Sequence, residues 1–269
     1  MSVILIQCLG AVGLAILAVL AVRRALVKKQ LDSYKDAVDI YFLIIGTIYA
    51  VILAFMLATV WEKYDQVSTM SEREANYLMD VYRLAEGMSE PDSSRIKSAA
   101  YEYAIKVTED EWPLMASGSM QFGESDSGDH LWKAVTTAQP TSKHDELLLR
   151  ELLSRFTTMT ECRRIRIFRS TEGLPLLLWV ILELGAIFIV GLSFLIQLRS
   201  IRMHSFLVGI LSLVIVLVLL VTQDLSTPFD GVMGLEPYGF KQTKLRMERL
   251  SESERQNDQN RQNTEGSSP

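Results

Sequence analysis

The sequence predicts an all-α integral membrane protein, with four transmembrane helices paired as two hairpins and a helical-bundle domain inserted between the hairpins. Three observations predict it. Charged residues make up 22% of the 269-residue chain, yet four stretches hold almost none of them, a segregation that soluble chains do not show. Each stretch approaches or exceeds the roughly 20 apolar residues that a helix rising about 1.5 Å per residue needs to cross hydrocarbon. Between the second and third stretches, the apolar residues recur with a helical rather than a strand period.

The spans fall at residues 3–22, 40–61, 173–198 and 205–223. The first has Gln7 as its only strongly polar side chain, the second has no charge, the third holds Glu183, and the fourth is Leu, Val and Ile around Ser212. Backbone polar groups find no water in lipid, so runs of this length are expected to be helices. Tyr41, Trp61 and Trp179 lie near span ends, where amphipathic rings favour the interface. Arg23, Arg24, Lys28 and Lys29 follow the first run instead of preceding it, which reads as a retained anchor and not a cleaved signal. The predicted organisation is a first hairpin (1–61), a polar helical domain (62–172), a second hairpin (173–223), a membrane-proximal segment (224–250) and a disordered tail (251–269).

Loop charge gives the orientation. Arg23, Arg24, Lys28, Lys29 and Lys35 in the first hairpin loop, with Arg199 and Arg202 in the second, place both loops in the cytoplasm and the central domain outside. Arg163, Arg164, Arg166 and Arg169, just before the third span, count on the opposite side.

Within the central domain, Val67, Met70, Leu78, Val81, Ala85 and Met88 share one helical stripe, with Glu74 at the missing turn. Glu62, Asp65, Thr69, Glu72, Asn76, Asp80 and Arg83 recur on another face of the same helix, which continues directly from the second span. A break at 89–91 precedes a second helix running to about Met115, with Pro113 ending or kinking it. Residues 117–129 read as a loop, residues 131–138 as a short helix, and residues 145–169 as a long helix with Leu148, Leu152, Phe156 and Met159 as its buried stripe. No internal repeat is evident.

Several function classes are disfavoured. A net charge of -5 lacks the basic excess that nucleic acid requires. Cys8 and Cys162 give neither a disulfide framework nor zinc spacing and read as structural thiols. His130, His144 and His204 fall in unrelated segments, and no phosphate loop or nucleophile elbow appears, so neither an enzyme nor a metal or cofactor site is expected.

Glu183 is the sharpest single candidate. A carboxylate near the bilayer midplane costs several kcal/mol unless it is neutral, paired or facing water. It reads either as an ion or proton site facing a pore, or as a neutral carboxyl bonded between helices, with Gln7, Thr47, Tyr49 or Ser212 as partner. Arg163, Arg164, Arg166 and Arg169 form an expected ring of positive charge at the membrane edge, there to attract anions or hold lipid headgroups. Glu74, inside an apolar stripe, reads either as a buried carboxyl with a shifted pKa or, more commonly for such a residue, as the partner of a basic residue on an adjacent helix. Gly10, Gly13, Gly46, Ala50, Gly185 and Gly191 are small enough to permit close helix approach.

Five local patterns occur in order: YAVILAFMLATVWEKYDQV at 49–67, REANYLMDVYRLAEGM at 73–88, EWP at 111–113, GLPLLLWVILELGA at 173–186 and DLSTPFDG at 224–231. Trp61, Glu62, Glu74, Asn76, Arg83, Trp112, Pro175 and Pro228 mark them. Together, over about residues 40–240, they resemble the bestrophin-like domain of unknown function, a family of bacterial membrane proteins. The resemblance implies a place in the bacterial inner membrane and likeness to bestrophins, oligomeric anion channels with two membrane hairpins separated by helical cytosolic segments. That layout puts the central domain in the cytosol, opposite to the loop charges. The bestrophin pore-neck aromatics and calcium clasp have no counterpart in these motifs. The leading expectation is a homo-oligomeric membrane protein that conducts anions; the alternative is a non-conducting sensor or scaffold that signals through its helical domain.

Overall fold

The computed structural model describes residues 2–25, 35–120, 127–196 and 200–265, and among them only helices and their connections form. In chain order the helices are α1 (Ser2–Ala25), α2 (Lys35–Glu86), α3 (Asp92–Lys106), a π-helical turn (Val107–Glu111), α4 (Trp112–Ala116), α5 (Ser127–Thr136), α6 (Lys143–Thr171), α7 (Leu176–Ser193), α8 (Ile201–Ser226) and α9 (Tyr238–Glu265). Lys28, Lys29, Arg199 and residues 121–126 of the 117–129 loop lie outside the described residues, so the basic hairpin loops are not placed. The chain divides into two compact units: one of residues 1–64, 173–227 and 231–233, the other of 65–172, 228–230 and 234–269.

The first unit is apolar. Three helices, Asp36–Glu86, Leu176–Ser193 and Ile201–Ser226, are long and apolar enough to cross a membrane, and Ile6–Val22 is a shorter apolar stretch. Ala15 and Val19 of α1 pack on Val208 of α8. Tyr49 of α2, Ile189 of α7 and Ile215 of α8 form a second cluster. Hydroxyls within these helices turn back on their own turns: Thr47 Oγ1 donates to the Leu43 carbonyl, Thr59 Oγ1 to Phe55 and Thr222 Oγ1 to Val218, each at 2.8 Å. That satisfies these three hydroxyls internally, as an apolar surrounding requires. The approach of α7 to α2 depends on Gly185, where a Cβ would run into the Tyr49 ring. Tyr49 then donates its hydroxyl to the Leu182 carbonyl at 3.1 Å.

The turn after α8 belongs to the same unit. Asp224 accepts the backbone amides of Val232 at 2.9 Å and Met233 at 2.7 Å. Gly231 has φ +88, and a Cβ there would strike the Asp224 carboxylate. Both the left-handed backbone and the close approach therefore call for glycine.

In the second unit, Val67, Leu78, Val81 and Ala85 of α2, with Met88 just after it, join Ile96, Ala100 and Tyr103 of α3, Leu152, Phe156 and Met159 of α6, and Phe240 and Met247 of α9 in one buried core. α6 starts at an N-cap, Ser142, whose hydroxyl accepts the Asp145 amide at 3.0 Å. The second predicted helix runs without a break to Ala116, past Pro113, but not as one α-helix. Its ladder widens at Val107–Glu111 into a π turn before α4. α5 begins at Ser127, earlier than the expected 131.

The tail also departs from expectation. Residues 251–265 continue α9 as helix. Buried Phe240, Thr243 and Met247 dock the first half of α9, so the later residues extend an existing helix without a nucleation cost. Their Glu, Gln and Arg are good helix formers, and Lys97 Nζ holds Glu254 at 2.8 Å.

Candidate functional site: a buried charge network and a carboxylate on an apolar helix

The stripe on α6 runs Leu152, Phe156, Met159, Cys162 and then Arg166, all buried. The stripe on α2 is interrupted by Glu74, also buried. The two interruptions meet. Arg166 Nε donates to Glu74 Oε2 at 2.7 Å and Nη2 to Glu74 Oε1 at 2.8 Å. Nη2 also reaches Glu111 Oε2 at 2.8 Å, and Nη1 the Met115 sulfur at 3.3 Å. Tyr103 donates its hydroxyl to Glu74 Oε1 at 2.6 Å. Arg163, half-buried, donates Nη2 to Glu111 Oε1 at 2.7 Å. The rings of Trp112 and Phe240 lie 5.6 and 5.7 Å from the Arg166 guanidinium carbon.

The π turn delivers Glu111 and Trp112 side by side to this core, a use of a widened turn that recurs where an inward side chain is needed. Trp112 donates Nε1 to the Leu235 carbonyl at 2.7 Å and meets Phe229 edge-on at 5.2 Å. Leu235 in turn donates its amide to the carbonyl of buried Pro228 at 2.7 Å.

Two cations face two carboxylates, so the network balances its charge. Burial opposes the charge on Arg166, but Glu74 and then Glu111 outweigh it and hold the guanidinium well above its usual range. Burial, then Glu74 and Glu111, push the Tyr103 phenol well up, which keeps its proton on the bond to Glu74. Arg166 and Glu74 direct their polar atoms at one another and at their neighbours, which is the chemistry of a clamp between helices.

The expected ring of four arginines does not form. Arg166 is withdrawn into the core and Arg163 is bound to Glu111, whereas Arg164 pairs with Glu161 at 2.6 Å and Arg169 with Glu172 at 2.7 Å on the surface. The helical period accounts for the division: residue 166 continues the buried stripe, and 164 does not. Glu111 figures in the sequence only within the EWP pattern, although it continues the buried face of Ile96, Ala100, Tyr103 and Val107.

Glu183 is the eighth residue of α7, roughly 10 Å along its axis. It is exposed, in an outward stripe with Leu176, Val180 and Ile187. Among the described residues it has no hydrogen-bond or ionic partner. Gln7 is exposed, Thr47 and Tyr49 bond to backbone carbonyls, and the buried Ser212 Oγ is unbonded; none pairs with Glu183. Of the other motif residues, Trp61 is exposed and stacks on Tyr64. Glu62, Asn76 and Arg83 are exposed. Pro175 caps α7, its carbonyl accepting the Leu178 amide at 2.9 Å.

Comparison with known proteins agrees with this architecture. The family model for the bestrophin-like domain matches residues 9–240. The crystal structure of a point variant of a bacterial bestrophin homologue from Klebsiella pneumoniae is similar with a TM-score of 0.66 at 10% identity, over 91% of this chain and 99% of that one. A second variant of a bacterial bestrophin homologue from Klebsiella pneumoniae gives 0.63 at 11% identity, over 90% and 97%. A further structure, described as a membrane protein, gives 0.62 at 13% identity, over 92% and 98%. No curated protein matches the chain.

Proposed function

We propose that this chain, which belongs to the bestrophin-like family, is one subunit of an oligomeric anion channel in the bacterial inner membrane. The observation that carries the reading is the likeness in fold to a bacterial bestrophin homologue along 99% of that protein's chain. In this reading α1, α2, α7 and α8 are four spans in two hairpins, residues 62–172 form the inserted helical domain, and identical subunits complete the conduction path.

The surface of the first unit supports assembly. Only 6% of the apolar window of α2 is buried within the subunit, so this span has most of its surface left for lipid or for neighbours. Glu183 adds a chemical demand. A carboxylate on an apolar outward stripe needs a partner or water within the bilayer, and a neighbouring subunit or an aqueous path supplies one.

The test is to measure subunit number in detergent and halide flux in proteoliposomes. A closed ring of four or more subunits with anion flux is the expected result. Monomers or dimers, or rings without flux across a range of voltage and pH, overturn it. The unbroken α2, Lys35–Glu86, favours one second reading: a non-conducting sensor whose long helix passes movement to the helical domain. Monomers or dimers that bind a ligand or protein through that domain distinguish it.

A further inference from the structure

A second basic feature borders α2 and α6, apart from the buried clamp. Gln66 and Met70 of α2 and Arg164, Ile165, Phe168 and Arg169 of α6 line an open groove of about 490 Å³. Its chemistry is two-sided. Met70, Ile165 and Phe168 give an apolar wall, and Phe168 remains 52% exposed. Arg164 and Arg169 give two guanidinium groups, each paired, among the described residues, with an acidic residue three positions away along the chain. Such surface pairs contribute at most about 1 kcal/mol, so a better anion displaces Glu161 and Glu172 at little cost.

Position along the chain adds the second argument. Arg169 precedes Leu176, the first residue of the apolar α7, by seven residues. On the other wall, Gln66 and Met70 follow Trp61, the last residue of the apolar part of α2, by five and nine residues on the same helix. Both walls therefore lead directly into helices apolar enough to span a bilayer. At that level a membrane presents phosphate groups bordered by acyl chain.

We infer that this groove binds an anionic phospholipid, Arg164 and Arg169 holding the phosphate while Met70, Ile165 and Phe168 receive the start of an acyl chain. Guanidinium forks match phosphate oxygens in geometry and charge, and the apolar wall selects a lipid over a soluble anion. The inference rests on the membrane location of the chain and not on conduction, so it is read by binding and not by flux.

The experiment uses the purified full-length protein in detergent, with lipid retention followed by native mass spectrometry and melting followed in parallel. Phosphatidylglycerol is expected to be retained and to raise Tm, with phosphatidylcholine retained roughly tenfold less. Arg164→Gln with Arg169→Gln should abolish this preference, and Arg164→Lys with Arg169→Lys should keep part of it. Met70→Gln with Phe168→Gln keeps both charges and is expected to lose retention as well. Equal retention of the two lipids, undiminished phosphatidylglycerol binding in either glutamine pair, or full competition by inorganic phosphate overturns the inference. The lipid-free Tm of each variant identifies one that is misfolded, and the lysine pair then decides.

Discussion

Arg166 on α6 and Glu74 on α2 meet side-on through two hydrogen bonds of 2.7 and 2.8 Å, both residues fully buried. Each is the polar interruption of an otherwise apolar stripe, so the two helices lock in one register. A slip by one turn would place a guanidinium against Met70 or Leu78 and leave a carboxylate without a partner.

Removing either member alone should therefore be costly. Glu74→Leu or Arg166→Met leaves a buried charge uncompensated, a loss of roughly 3–5 kcal/mol. The combined Glu74→Leu, Arg166→Met variant keeps the Arg163–Glu111 pair and should recover much of that loss. Melting of the three variants in detergent checks it; a double variant no better than the worse single one would deny that the pair acts as a unit.

Asp145 offers a pH-dependent counterpart. Its carboxylate accepts the Thr141 hydroxyl at 2.8 Å and both the hydroxyl and the amide of Ser89 at 2.9 and 3.1 Å. The Thr141 bond first, then those from Ser89, hold the carboxyl well below the usual carboxylate range. A carboxylate with its folded pKa depressed stabilises the fold above its unfolded pKa, about 3.9, and loses that contribution as pH falls towards the folded value. Asp145→Asn should lower Tm at pH 7, and the gap from the parent should narrow steadily below about pH 4. A gap that stays constant with pH would assign the loss to packing instead.

The apolar helices Asp36–Glu86, Leu176–Ser193 and Ile201–Ser226, the helical class and the pairing of Glu74 are legible because each follows from one-dimensional pattern: run length, period, and one charge out of place in a stripe. The division of the arginines was half-legible. Extending the Leu152, Phe156, Met159 stripe by two more steps reaches Arg166, but clustering by sequence proximity hid it among Arg163, Arg164 and Arg169. Glu111 lies four residues after Val107 on the buried face that Ile96, Ala100 and Tyr103 begin, so the helical period does point it inward, and only its grouping with Trp112 and Pro113 as a local pattern conceals it. The helical tail escapes a compositional reading for another reason. Composition describes what a segment does alone, and residues 251–265 are not alone but extend a helix anchored at Phe240 and Met247.

Gly185 was one of several small residues expected to permit close packing, and the structure separates them. Gly10, Gly13 and Gly191 have open space where a Cβ would be, whereas at Gly185 it meets the Tyr49 ring. Gly185→Ala should destabilise by about 1–3 kcal/mol, and Gly191→Ala should change little. Pairing Gly185→Ala with Tyr49→Leu should restore part of the loss, because the ring is the obstacle. If Gly185→Ala melts like the parent, the α2–α7 contact is looser than described.

Glu183 separates assembly from conduction. On the outward stripe of α7, glutamine keeps a hydrogen-bonding group of the same size but removes the charge, while alanine removes both. If Glu183 bonds to a neighbouring subunit, Glu183→Gln assembles normally and Glu183→Ala associates roughly three- to thirtyfold more weakly, the range expected for one or two intramembrane hydrogen bonds. If it faces an aqueous path, both variants assemble and both change halide flux, because the fixed charge is gone in each. Subunit number by native mass spectrometry and flux in proteoliposomes read the two outcomes on the same preparations. Parent-like assembly and flux in both variants would mean that Glu183 faces neither a neighbour nor a pore, and the assembly argument drawn from its position would fall with it.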